Sequence, residues 1–194
     1  MYTEKKRTTI IMATAIIMNL ALFLSAYYFK LPLWLDTTGT IYAAVLLGAP
    51  AGFVVAIANN LIQAFGFYGA DSLLFYIVSA LTAFTAGSVM KDKKRSVLRW
   101  VLLAVYLFAI CSVSSIILTF ITTDGVPADY WGSTLYGLLL ANGVAPAFST
   151  MLSVAVVKIL DVLISLAVVV LSVAITPKAV KTDAVTIKNK VVGD

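Results

Sequence analysis

Apolar runs of roughly 20 residues recur along this chain, and that is the length an α-helix needs to cross the hydrocarbon core of a bilayer. They read as about Thr8–Phe29, Pro32–Gly48, Ala51–Phe67, Ser72–Met90, Val97–Ile121 and Pro146–Thr176. Of the 194 residues 61% are apolar and 12% charged, where a soluble domain has about 45–50% and about 25%. No soluble core of this size hides that much apolar surface, so lipid must solvate much of it. The expected fold is all-α, an integral membrane bundle of about six spans over residues 1–177, with a polar tail over 178–194.

Local punctuation supports these limits. Lys30-Leu31-Pro32 breaks the first run, and Pro32 suits the first turn of a following helix. Ala49-Pro50-Ala51-Gly52 reads as a tight turn, and Pro177 ends the last run. Residues 130–157 are long enough for a seventh span, but that would put the lysine-rich tail outside. A short interfacial or re-entrant helix at about Ser133–Ala141, broken by Asn142-Gly143, fits better, since broken backbone at membrane depth needs protein or a water-filled cavity around it. The N-terminus resembles a signal peptide, but its apolar run is too long for a typical one, so it reads as a retained first helix.

The net charge of +5 falls in three basic islands: Lys5-Lys6-Arg7, Lys91 with Lys93-Lys94-Arg95, and Lys178, Lys181, Lys188 and Lys190. Six spans put all three on one side, which the positive-inside rule makes cytoplasmic, with both termini. Asp71, Asp124 and Asp129 fall on the other side, with Lys30 as its cation. No basic-aromatic stretch suggests nucleic acid. Histidine is absent and Cys111 is the single cysteine, which argues against metalloprotease or Ser-His-Asp chemistry and leaves no intrachain disulfide. There are no paired carboxylates, glycine-rich phosphate loop or metal-ligand cluster, so neither an enzyme nor a cofactor or metal site is expected.

Polar residues inside spans are costly unless they face a partner or a cavity, which makes them the functional candidates. Asp36-Thr37-Thr38-Gly39-Thr40 places a carboxylate and three hydroxyls at the start of the second run, as a helix cap or the wall of a polar pocket. Asn60 shares a face with Gly48, Gly52, Ala56 and Ala64, where helices pack closely, and Ser79, Ala83 and Gly87 form a matching face. Asn59, about 100° away, is free to meet a cavity. Lys158 and Asp161 are three apart, on one helical face where they can pair. Lys158 lies about 28 Å above Pro177. The two are either a snorkelling lysine with its counter-ion or the wall of an outward-facing site, at a depth near that of Asp36 and Asn142. Among the aromatics, Trp34 and Tyr68 lie beside this polar cluster, where they can stack on a flat ring.

The run Leu33-Trp34-Leu35-Asp36-Thr37-Thr38-Gly39-Thr40, then Leu46-Leu47-Gly48-Ala49-Pro50-Ala51-Gly52 and Asn59-Asn60-Leu61, resembles the second and third spans of substrate-binding S-components of energy-coupling factor (ECF) transporters. The resemblance implies a plasma-membrane subunit that binds a vitamin or related micronutrient from outside. It also implies docking on a T-component carrying two ATPases, with the loop between the first two spans as a lid. It places Lys30–Asp36 in the lid and its base, and Asn142, Lys158 and Asp161 by the pocket. The family's small residues spaced by four on the first helix are matched only imperfectly by Ala13, Ala15, Ala21 and Ser25. The expected substrate-binding set is Trp34, Asp36, Thr37, Thr40, Asn59, Tyr68, Asn142, Lys158 and Asp161. The alternative is a membrane-embedded sensory or interaction module without transport activity.

Overall fold

The computed structural model describes residues 4–91 and 96–177. Lys93, Lys94 and Arg95 of the second basic island, and the tail over 178–194 with its four lysines, lie outside the described residues. The described residues fold into seven α-helices: α1 (Glu4–Tyr28), α2 (Thr38–Leu47), α3 (Ala49–Gln63), α4 (Tyr76–Val89), α5 (Val97–Thr123), α6 (Tyr130–Ala141) and α7 (Pro146–Ile175). A π-helical turn, Ala64–Tyr68, and a 3-10 segment, Ala70–Phe75, join α3 to α4. Five segments are long and apolar enough to cross a membrane: Lys5–Tyr28, Ala49–Tyr68, Ala70–Val89, Val97–Thr123 and Pro146–Ile175. Large apolar side chains such as Ile17, Phe84, Ile121 and Leu171 stay exposed on these helices, as a lipid-facing surface requires.

The second run differs from its expected form. Helix α2 begins at Thr38, not Pro32, and its 10 residues reach only about 15 Å. The chain before it turns through Lys30 and Leu35, both at positive φ (50° and 53°), a conformation a helix does not contain. What α2 lacks in length it makes up in burial. Every residue from Thr38 to Leu46 is buried, and the helix packs against α1, α3, α4 and α7. A helix that is apolar on all sides belongs in such a position.

Close packing around α2 depends on small residues and on paired polar groups. A Cβ on Gly39 would collide with the carbonyl of Ala15 in α1, so the two backbones meet there. Asn19 of α1 is fully buried; its Oδ1 accepts the Gly39 N–H and its Nδ2 donates to Thr40 Oγ1 at 3.1 Å. On the other side Thr38 Oγ1 lies 2.9 Å from Ser165 Oγ of α7, and Tyr42 Oη lies 2.9 Å from Thr176 Oγ1 at the end of α7. The two expected small-residue faces of α3 and α4 do meet. Gly52 sits against Ala83, Gly87 against Ala49, and Asn60 Nδ2 donates to Ser79 Oγ at 3.0 Å.

Helix α6 starts three residues before the expected Ser133, because Asp129 caps it: the carboxylate accepts the Gly132 N–H at 2.9 Å. That satisfies one of the free donors at a helix start. The turn through Asn142 and Gly143 (φ 80°) follows, and Pro146 opens α7. Helix α6 packs on α7.

Candidate functional site

The segment over residues 29–37, between α1 and α2, decides the shape of one end of the bundle. It has little regular structure, so its backbone groups must find partners elsewhere, and three distant side chains supply them. Asp161 Oδ1 on α7 accepts the N–H groups of Trp34 at 3.0 Å and Leu35 at 2.7 Å. Asn59 Nδ2 on α3 donates to the Asp36 carbonyl at 3.0 Å. Trp131 Nε1 on α6 donates to the Lys30 carbonyl at 2.6 Å, and the Lys30 ammonium lies 5.5 Å from the Tyr130 ring centroid, within cation–π range. The segment is thus tied to α3, α6 and α7 together.

Beneath it lies a cavity of about 720 Å³, within the roughly 300–1,000 Å³ typical of small-molecule sites. One wall is aromatic. Tyr68 packs on Phe23, Tyr27 and Trp34 at centroid distances of 5.9, 6.2 and 5.9 Å. Such tilted and edge-on contacts between rings add to the gain from burying them. The polar lining includes Asp36 and Thr37 from the loop, Gln63 from α3, Ser115 and Thr119 from α5, Asp129 and Lys158.

The charged groups differ in what already satisfies them. Asp129 caps α6; burial pushes its carboxyl above the usual range, while the Gly132 N–H and Lys158 draw it back. Burial likewise pushes the Asp36 carboxyl up to about 6, against the pull of Lys158 and of Gln63 and with a further push from Asp161. Gln63 is within electrostatic reach of Asp36, yet its Nε2 makes no hydrogen bond of ordinary geometry. Ser115 Oγ is also buried without a partner. Among the described residues, Lys158 forms no hydrogen bond or ion pair, and Asp36 no ion pair.

No known family, curated protein or solved structure matches the chain. What the site does must therefore be read from its geometry.

The structure separates the nine expected site residues into three groups. Trp34, Asp36, Thr37, Tyr68 and Lys158 line the cavity. Thr40, Asn59 and Asp161 are buried outside its lining, where each holds backbone or a neighbouring helix, as described above. Asn142 is exposed and away from the cavity; its Nδ2 donates to the Leu138 carbonyl at 2.8 Å, closing the end of its own helix. The expected pairing of Lys158 with Asp161 gives way as well. The Asp161 carboxylate serves the Trp34 and Leu35 N–H groups instead, and among the described residues the two form no ion pair. Burial of backbone donors explains the preference, because an unpaired N–H at such a site costs about 1–3 kcal/mol.

Gln63, Ser115 and Asp129 line the cavity without having stood out in the sequence. Gln63 was findable: it lies one helical turn beyond Asn59 on the same face, an amide within an apolar run. Ser115 is one of many hydroxyls in α5, and nothing in its spacing marks it. Among the described residues no group of three or more Cys, Asp or Glu side chains is placed to hold a metal ion. The arrangement suits recognition of a small molecule by an aromatic wall and a few convergent polar groups.

Proposed function

We propose that this chain is the membrane-embedded solute-binding subunit of an uptake system for a vitamin or related micronutrient, energised by a separate T-component and its ATPases, and not itself an enzyme. The observation that carries the reading is the cavity of about 720 Å³, with an aromatic wall and with Lys158 and Asp36 left without ion-pair partners among the described residues. Charge buried in an apolar bundle without a partner is expensive, and a bound solute supplies what is missing.

Orientation fits this role. The cavity lies at the end of the bundle where α1 finishes and α6 starts, with Asp71 and Asp129 in its lining. Lys5, Lys6, Arg7 and Lys91 stand at the other end, where α1 starts and α4 finishes. The positive-inside rule then puts the basic end and both termini in the cytoplasm, and the cavity at the outer face of the plasma membrane. In this setting the segment over residues 29–37 is the lid, and its ties to Asp161, Asn59 and Trp131 hold it over the solute. The resemblance of Leu33–Thr40, Leu46–Gly52 and Asn59–Leu61 to ECF S-components supports the same role and the same partners.

A thermal-shift screen of the detergent-purified protein against vitamins, their precursors and nucleobases tests the reading. A ligand at about 100–1,000 times its dissociation constant adds roughly 2.7–4.1 kcal/mol of stability, so a binder gives a clear rise in Tm. A folded protein with no response across the panel, but which co-purifies with a signalling partner, would replace this function with a sensory one.

A further inference from the structure

Accepting that the cavity binds a solute, its charge arrangement narrows the class. Five charged residues line it: Lys30, Asp36, Asp71, Asp129 and Lys158. Three are accounted for. Lys30 sits over the Tyr130 ring, Asp129 caps α6, and Asp71 is exposed to solvent. That leaves one cation, Lys158 on α7, and one anion, Asp36 at the base of the lid; the Asp161 carboxylate lies behind the lining and is taken up by the Trp34 and Leu35 N–H groups. Lys158 and Asp36 face the same cavity and feel each other's field, yet neither has an ion-pair partner among the described residues.

That the two groups stay unpaired is the informative point. Had the two groups closed on each other, the site would be neutral and would favour an uncharged solute. Asp36 is kept from doing so because its loop is tied down on both sides. Its own carbonyl is held by Asn59 and the neighbouring Leu35 N–H by Asp161. Lys158 in turn projects from a long, continuous helix. A solute with a single negative charge would satisfy Lys158 and leave Asp36 opposed to it; a solute with a single positive charge would do the reverse. A solute carrying both charges satisfies the two together, with its body against the Trp34–Tyr68 wall. Ser115 Oγ, buried and unpartnered beside the cavity, is a further donor for the anionic end, while the Gln63 amide faces Asp36.

We propose that the solute is a small zwitterion with an aromatic or apolar body, its anionic group held by Lys158 and its cationic group by Asp36. The site thereby selects against singly charged and neutral relatives of the same compound by leaving one of its own buried charges unpaired.

A matched library decides this with the full-length protein. It consists of aromatic and aliphatic α-amino acids and aminomethyl-benzoic acids, each with its methyl ester, its N-acetyl derivative and its doubly blocked form. Thermal shift followed by calorimetry should find the binders among the zwitterions, with at least tenfold weaker binding on blocking either end. In Lys158→Gln, ester and free acid should bind equally. In Asp36→Asn, the N-acetyl and free-amine forms should become equal. The wild-type comparison holds even if either variant fails to fold. Singly charged or neutral members that bind as tightly as their zwitterionic parents would overturn the zwitterion class while leaving solute binding intact. No stabilisation by this library, with a clear response to a non-zwitterionic vitamin or nucleobase, would do the same. A well-folded protein that responds to neither panel would remove the solute-binding reading itself.

Discussion

Asp161 and Leu35 are 126 positions apart in the chain, yet the Asp161 Oδ1 accepts the Leu35 N–H at 2.7 Å and the Trp34 N–H beside it at 3.0 Å. One carboxylate in the middle of the last helix therefore fixes the entry to the second. It also holds Leu35 in its left-handed conformation, which costs a non-glycine residue roughly 1–2 kcal/mol.

Asp161→Ala should leave both backbone donors unpaired in a buried place, at about 1–3 kcal/mol each. Asp161→Asn keeps an acceptor and loses only the charge, so its cost should be clearly smaller. The buried Cys111 is the only cysteine, so a thiol-reactive dye reports unfolding directly. Heating in detergent should rank Tm as wild type, then Asn, then Ala. An Ala variant as stable as wild type would mean that this contact does not hold the loop.

Gly39→Ala tests the meeting of α1 with α2. The added methyl would strike the Ala15 carbonyl, which is backbone in the middle of a helix and has little room to yield. Overpacking of this kind costs about 1–3 kcal/mol or more, so Tm should fall by several degrees. Gly66→Ala is the control, because a Cβ there meets nothing within 4 Å. Equal loss in both variants would point to a general intolerance of glycine replacement, not to this contact.

Much of the bundle is legible in the sequence because its determinants are local. Helix α7 was expected over Pro146–Thr176 and runs over Pro146–Ile175; α5 was expected from Val97 and starts there. Apolar length, a proline at one end and a charge cluster at the other suffice for such limits. The start of α2 was not legible, since the groups that keep residues 29–37 out of helical conformation come from α3, α6 and α7. The same reasoning explains the candidate site. Spacing placed Lys158 and Asp161 on one face, but it carries no information about a competing backbone donor from the other end of the chain. Asn142 is assigned by its depth and by the family resemblance, and neither tells an amide that faces a cavity from one that closes its own helix.

Asn19 on α1 makes two hydrogen bonds to α2, one with the Gly39 N–H and one with Thr40 Oγ1. Asn19→Ala removes both and leaves an unpaired N–H in the first turn of α2, so a loss of about 1–3 kcal/mol is expected. Thr40→Val removes only the second, and membrane hydrogen bonds of that kind average about 0.6 kcal/mol. Unfolding in a denaturing detergent series should therefore show the Asn19 variant clearly weaker than the Thr40 variant. The reverse order would mean that the hydroxyl of Thr40, not the backbone of Gly39, is the group that Asn19 serves.

Acidification separates the charge state of Asp36 from its shape. Burial raises its carboxyl from 3.8 to about 6, opposed by Lys158 and Gln63 and reinforced by Asp161, so at pH 7 the empty site carries the anion about ten to one. A solute that places a cation on Asp36 stabilises the ionised form, which lowers the carboxyl's value in the complex. Linkage then fixes the sign: affinity is at its full value above about pH 6 and falls as pH drops through it, by up to tenfold per unit. Asp129 lines the same cavity and is also raised by burial, so both aspartates must be tested. In calorimetric titrations between pH 7.5 and about 5, Asp36→Asn should flatten the decline while Asp129→Asn, which can still cap α6, should retain it. The solute's own groups are kept out of the comparison by using a carboxylate and an amine that do not titrate in this range. Affinity that rises on acidification would place an anionic group against Asp36, contrary to the arrangement in which Asp36 meets the cation and Lys158 the anion.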